Sequence, residues 1–324
     1  MRVTNSYKVR TYLKSLNQNM EYLSKLQEQQ SSGQKLLRPS DDPFGVSRTL
    51  NISDSITRNK QYGENIDEAI NWINTSDEAL DKVSEYLKRI YSQINAAANG
   101  TNSETEMFAY KAEIQECIEG IGDMLNANYN GSYIFAGYKT TEKPIAVEKN
   151  STGVTGKLLN TGDQNLLCKE ISPGVTVSIN TTAYDILLTA NDLDEADPSY
   201  DPTTDTAESL SKTFEKLMEA MTDPAKKENL SSDSPEFSFL DKITAARDNI
   251  ARLRAQIGAK QNRMDAASAK NAVENENMTE VLAKTADIDI AEMSMLVSVA
   301  LATHEYALMV GSQILQQSLL SFLK

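Results

Sequence analysis

Both ends of this chain carry apolar residues on a helical period. Between Asp289 and Lys324 only Asp289, Glu292, Glu305 and Lys324 bear a full charge. Val297, Leu301, His304, Leu308, Gly311, Leu315, Ser318 and Phe322 advance in alternating steps of four and three, which lines them up on one face of a helix. At the other end Val9, Leu13, Leu16, Met20 and Leu23 keep the same spacing, with Lys14, Glu21 and Lys25 on the flanks. Chain ends are ordinarily frayed and polar, so two apolar ends are more useful between subunits than within one. Leu13, Leu16, Met20, Leu23, Leu301, Leu308, Leu315 and Phe322 are therefore the expected assembly interface.

The longest regular pattern lies inboard of these ends. A first helix is predicted from about Asn5 to Gln30, stopping at Ser31-Ser32-Gly33, and the chain restarts with Asp42 as N-cap and Pro43 in the first helical position. Ile66, Ile73, Leu80, Leu87 and Ile94 then recur every seven residues, with Ala69, Ser76, Val83, Ile90 and Ala97 three after each, a coiled-coil seam. Asn99-Gly100 ends this helix, and Ser103 with Glu106 forms a capping box for the next. That helix is expected to run to about Tyr129, with Met107, Ile114 and Ile121 on its seam and the short connection making it antiparallel to the helix before it. From Leu240 to Leu282 a further helix, about 60–65 Å long at 1.5 Å per residue, carries Ile243, Ile250, Ile257 and Met264, with Ala246, Leu253 and Ala267 on the companion positions. An apolar stripe needs a partner. Ile66, Ile73, Leu80, Leu87, Ile94, Ile250, Leu253 and Ile257 are accordingly the expected rod core.

Between the rods the period drops to two. Val175, Val177 and Ile179 alternate with Thr176, Ser178 and Asn180 after the turn Ser172-Pro173-Gly174, and turns are expected at 150–156 and 160–163. A loop follows over 191–205, then a short helix over about 206–221 carrying Leu210, Phe214 and Leu217. The expected fold class is α+β: long antiparallel helical rods built from both chain ends, with a small β-containing insertion. Its parts are terminal assembly segments at 1–38 and 289–324, a rod domain at 39–144 and 239–288, and an acidic inserted domain at 145–238.

Composition narrows the function. At 324 residues the chain has room for two or three domains. Its net charge of −14 argues against nucleic acid as a partner. The acidity is local: residues 185–241 hold 15 acids against four lysines, whereas residues 1–62 hold ten basic residues against five acids. Cys117 and Cys168 lie too far apart in sequence for a metal pair and read as small buried residues. The single histidine, His304, precedes Glu305, but Leu308 stands where a zinc-protease motif needs its second histidine. The run Asp192, Asp194, Glu195, Asp197 lacks the glycine and the final glutamate of a calcium loop, and Asp287 and Asp289 are explained as helix caps. Gly153 to Lys157 is too short for a phosphate loop and reads as a turn. No catalytic, cofactor-binding or metal-binding residue is expected. The N-terminus lacks the apolar core of a cleaved secretory signal, and the serines and glutamines within Tyr306–Leu323 argue against a membrane span there.

Four segments resemble the bacterial flagellin superfamily. Ser32-Gly33 through Arg38-Pro39-Ser40-Asp41-Asp42-Pro43 is similar to its N-terminal signature, and Arg254-Ala-Gln-Ile-Gly-Ala-Lys-Gln-Asn-Arg-Met264 to its long C-terminal helix. Gly131-Ser-Tyr-Ile-Phe-Ala-Gly137 up to Pro144 resembles the entry to the insertion in members that join hook to filament, rather than in filament subunits. Gly311 through Lys324 is similar to the shared terminal helix, with an abrupt end and a Pro39 that also favour the junction branch. The resemblance implies a structural subunit of the extracellular flagellum, exported unfolded by the flagellar type III route. Its implied partners are neighbouring copies in a ring, other hook-associated proteins, flagellin, and an export chaperone on the C-terminal helix. The terminal helices would then be mobile in the free subunit and order against neighbours. The alternatives are a filament-forming flagellin and an enzyme sited in residues 145–238, a span without histidine.

Overall fold

The computed structural model describes residues 2–98, 102–150, 153–187, 210–222 and 238–320. The expected loop at 191–205, the first residues of the helix expected at 206–221, the Asn99-Gly100 stop and Phe322 fall outside that range. So does the side chain of Leu315. Contacts divide the chain into two units, residues 1–60 with 273–324, and residues 61–272.

In the second unit three helices meet: the part of α2 (Pro43–Ala97) from residue 61 on, α3 (Glu104–Leu125), and the part of α6 (Phe239–Ala286) up to residue 272. Ile66, Ile73, Leu80, Leu87 and Ile94 of α2 are fully buried, and Ile250, Leu253 and Ile257 of α6 nearly so. With Ile114, Ile118 and Ile121 of α3 they belong to one apolar cluster. Ser76 occupies a heptad position in this core, and its own hydroxyl is satisfied by donating to the Trp72 carbonyl at 2.8 Å. At the edge of the seam Arg254 of α6 grips two carboxylates of α2, Asp77 through Nε and Nη2 at 2.8 and 3.2 Å and Asp81 through Nη1 at 2.6 Å. The fork geometry of arginine fixes the register of the two helices at that level.

The capping box of α3 forms as its sequence predicts, Ser103 and Glu106 each holding the other's backbone N–H. Its C-terminus differs. α3 ends at Leu125, four residues before the predicted Tyr129, because the Asn126 carboxamide turns to pair with the backbone of Ile145, giving and accepting at 2.9 and 3.0 Å. The chain then makes a hairpin, β1 (Asn128–Tyr129) and β2 (Ser132–Tyr133), through an Asn130-Gly131 turn. Tyr129 meets Trp72 edge to face, ring centroids 6.2 Å apart.

The β-containing region consists of separate two-stranded antiparallel sheets, β3 (Ile145–Asn150) with β4 (Gly153–Asn160), and β5 (Cys168–Ser172) with β6 (Val175–Ser178). Residues 153–156, expected to be part of a turn, are strand. Gly156 stands there with φ +90° because α5 (Leu210–Thr222) lies directly on β4: a Cβ would come within 2.5 Å of the Phe214 carbonyl oxygen. The Ser211 hydroxyl completes the join, accepting from Leu158 N–H at 2.8 Å and donating to Leu158 C=O at 3.0 Å. A short α4 (Ala183–Leu187) adds Ile186 and Leu187 to the core. Lys169 pairs with Glu68 at 2.6 Å and Asn65 donates to the Glu170 carbonyl at 2.9 Å, tying β5 to α2. Of the cysteines, Cys117 is buried and Cys168, expected to be, is exposed on β5.

Candidate assembly surface

In the first unit the chain ends form α1 (Arg2–Ser32) and α7 (Ile290–Leu320). Asp289 caps α7, its carboxylate accepting from the N–H groups of Ala291 and Glu292 at 2.8 and 3.2 Å. Asp42 caps α2 in the same way through Phe44 and Gly45. The helices α1 and α7 pack on each other antiparallel. Tyr12 donates its hydroxyl to the Ala307 carbonyl at 2.8 Å near one end, while Leu26 joins Met293, Val297 and Ala300 in a buried cluster at the other.

The seam between them runs through Val9, Tyr12, Leu16, Asn19, Leu23 and Leu26 on α1 and Met293, Val297, Ala300, His304, Ala307 and Gly311 on α7, all at least partly covered. Its spacing is the alternating three and four of a coiled coil. Leu16 and Leu23 are thus turned inward against α7. Leu13, Met20, Leu301 and Leu308 are not: they are 50, 52, 42 and 50% exposed. The inward positions of α7 include alanines and a glycine, whereas Leu296, Leu301 and Leu308 point outward. Gly311 explains the choice, since a Cβ there would run into the ring of Tyr12. Met293, Ala300, Tyr12 and Leu26 were not singled out from the sequence; the signal that could have placed the seam there was the line of small residues Ala300, Ala307 and Gly311 on α7, which lets two backbones approach.

Outside the seam α7 also exposes Met295, Val299, Met309 and Val310. By length and composition alone Ile290–Ser312 could cross a membrane, an apolar window upstream of the Tyr306–Leu323 stretch weighed from the sequence. Glu292 and Glu305 fall inside it, and its inward side is taken by α1. His304 faces the seam with Nδ1 buried and unpartnered. Among the described residues no cluster of three His, Cys, Asp or Glu could hold a metal ion.

The connection from α1 to α2 and the connection from α6 to α7 run side by side. Lys35 N–H donates to Ala286 C=O at 2.7 Å and Ile288 N–H to Gly33 C=O at 3.1 Å, an antiparallel bridge at Gln34 and Asp287. Buried Gln29 caps it with a 2.7 Å bond to the Lys35 carbonyl. Beside it Met20, Ser24, Leu37 and Arg38 line a shallow groove whose rim holds the pairs Lys25–Asp41 at 2.8 Å and Arg38–Glu28 at 3.3 Å. The Lys25 ammonium, bonded to Asp41, holds that carboxyl below its ordinary range.

Two family descriptions match the chain, the bacterial flagellin N-terminal helical region over residues 4–140 and the C-terminal helical region over 240–323, together more than half of it. Flagellar hook-associated protein 3 of Escherichia coli K12 is 24% identical over 280 residues, 84% of either chain. The flagellar filament 41 kDa core protein of Borreliella burgdorferi is 29% identical over 132 residues, 40% of this chain and 39% of that one. Among solved structures, flagellar hook-associated protein 3 of Legionella pneumophila superposes with a TM-score of 0.60 at 16% identity, covering 72% of this chain and 98% of that one. With both helical regions matched and the fold shared, the chain belongs to the bacterial flagellin family.

Proposed function

We propose that this protein joins the flagellar hook to the filament. The extent of the likeness carries the reading: the hook-associated relative is matched along most of both chains, insertion included, while the filament protein is matched over less than half of either. The subunit acts as a structural part, outside the cell, without catalysis. Residues 1–38 and 289–324 serve as assembly segments, 39–144 with 239–288 as the rod, and 145–238 as the inserted region. Leu13, Met20, Leu301 and Leu308 supply the outward apolar face, and Leu315 and Phe322 repeat the seven-residue spacing of Leu301 and Leu308 in the sequence, while Leu16 and Leu23 hold α1 to α7. Each outward side chain gains roughly 1.5–3 kcal/mol when fully buried, so several together offset the ordering of a mobile partner. Copies of the chain in a ring, other hook-associated proteins and flagellin are the proposed partners. An apolar face this continuous needs cover before export, which is the role proposed for a chaperone on α7.

The test is complementation of a strain lacking the gene. Wild-type protein should restore filaments on hooks, seen by electron microscopy, and Leu308→Asp should leave bare hooks with flagellin shed into the medium while the purified variant melts like wild type. Long filaments formed by the purified chain on its own, or filaments in the strain without it, would overturn the proposal in favour of a filament subunit.

A further inference from the structure

The hairpin at Asn130-Gly131 is a place where the backbone can rewrite itself. Both residues lie in the left-handed region, Asn130 at φ 49° and Gly131 at φ 82°, the pair of positive angles that a two-residue type I′ turn demands. Both are exposed, and nothing lies within 4 Å of where a Gly131 side chain would start. An asparagine followed by an unhindered glycine is open to succinimide closure. The Gly131 nitrogen gives its proton to solvent base and attacks the Asn130 carboxamide carbon; Nδ2 takes up a proton from solvent, the Cγ–Nδ2 bond breaks and ammonia leaves. Water then opens the ring at either carbonyl, leaving aspartate or isoaspartate.

One contact opposes this. The Asn128 side-chain oxygen accepts the Gly131 N–H at 2.9 Å. The attacking nitrogen must lose that proton and turn toward Cγ, and both motions break the bond. We propose that Asn130 is a covalent ageing site of this protein and that Asn128 is the guard that slows its conversion. The site matters to the fold because Tyr129, one residue upstream, packs on Trp72, and fully buried Ile134, Phe135 and Ala136 follow just downstream. Isoaspartate inserts an extra backbone atom and a negative charge between them, which breaks the register of Tyr129 with Ser132.

The experiment ages full-length wild type, Asn128→Ala and Asn128→Asp together at mildly alkaline pH, beside wild type unfolded in urea. The tryptic peptide Ala112–Lys139 is followed by mass spectrometry, with fragmentation placing the amide-to-acid change at Asn130. Asn128→Ala should convert several-fold faster than folded wild type. Asn128→Asp, which keeps the acceptor oxygen, should stay near the wild-type rate, and folded wild type should lag the unfolded chain. Fluorescence of Trp72, the only tryptophan, should drift in step with conversion. Equal rates for the two variants, or a folded wild type that converts as fast as the unfolded one, would overturn the proposal.

Discussion

Leu80 and Ile250 lie fully or almost fully buried in one apolar cluster, and truncation of either removes buried apolar atoms and leaves a cavity. Leu80→Ala and Ile250→Ala should each lower stability by about 2–5 kcal/mol, read from chemical denaturation with unchanged m-value. A midpoint unaffected by either would mean that the seam is loosely packed. The two cysteines test burial in another way. Desolvation, with Glu113 nearby, pushes the Cys117 thiol up to about 11, whereas Cys168 is exposed. A thiol held protonated and out of solvent is a poor nucleophile, so around pH 8 a maleimide should label Cys168 alone, and Cys117 only after unfolding. Side chains of the heptads were legible because periodicity reports burial directly. The inward face of α7 was legible only in part: Val297, His304 and Gly311 lie on the predicted stripe, but Ala300 and Ala307 carry little hydrophobic signal, and close approach of Gly311 to Tyr12 rewards small size rather than apolar area.

At the level of elements, boundaries set by local chemistry were readable. Asp42, Ser103 and Asp289 each bond the first free N–H groups of their helices, a pattern that a few adjacent residues determine. Boundaries set by distant partners were hidden, as where Asn126 ends α3 by pairing with Ile145, or where Gly156 serves α5 rather than a turn. Among the described residues, the apolar cluster that includes Ile66 and Met264 contains none of α1 or α7. A chain cut to residues 39–288 should therefore keep its helical circular dichroism and a cooperative melt while losing the ability to join hook to filament. Aggregation or a featureless melt of that chain would show that the terminal helices are needed for the core.

Over the whole molecule charge is divided as sharply as contacts. Residues 1–60 and 273–324 hold twelve basic and twelve acidic residues and so balance, leaving the entire −14 in residues 61–272. A neutral unit can be crowded against its own kind without Coulomb cost, while an acidic one resists association. The paired crossing at Gly33–Lys35 and Ala286–Ile288 has a mechanical meaning as well. Two rods joined by a single strand are free to swivel, because rotation about a few single bonds dissipates any twist. Here two strands run side by side and are bonded to each other, so turning the α1–α7 pair about its own axis means breaking the Lys35–Ala286 and Ile288–Gly33 bonds. Torque applied to the terminal helices is passed on to the chain beyond the crossing instead of being lost in it.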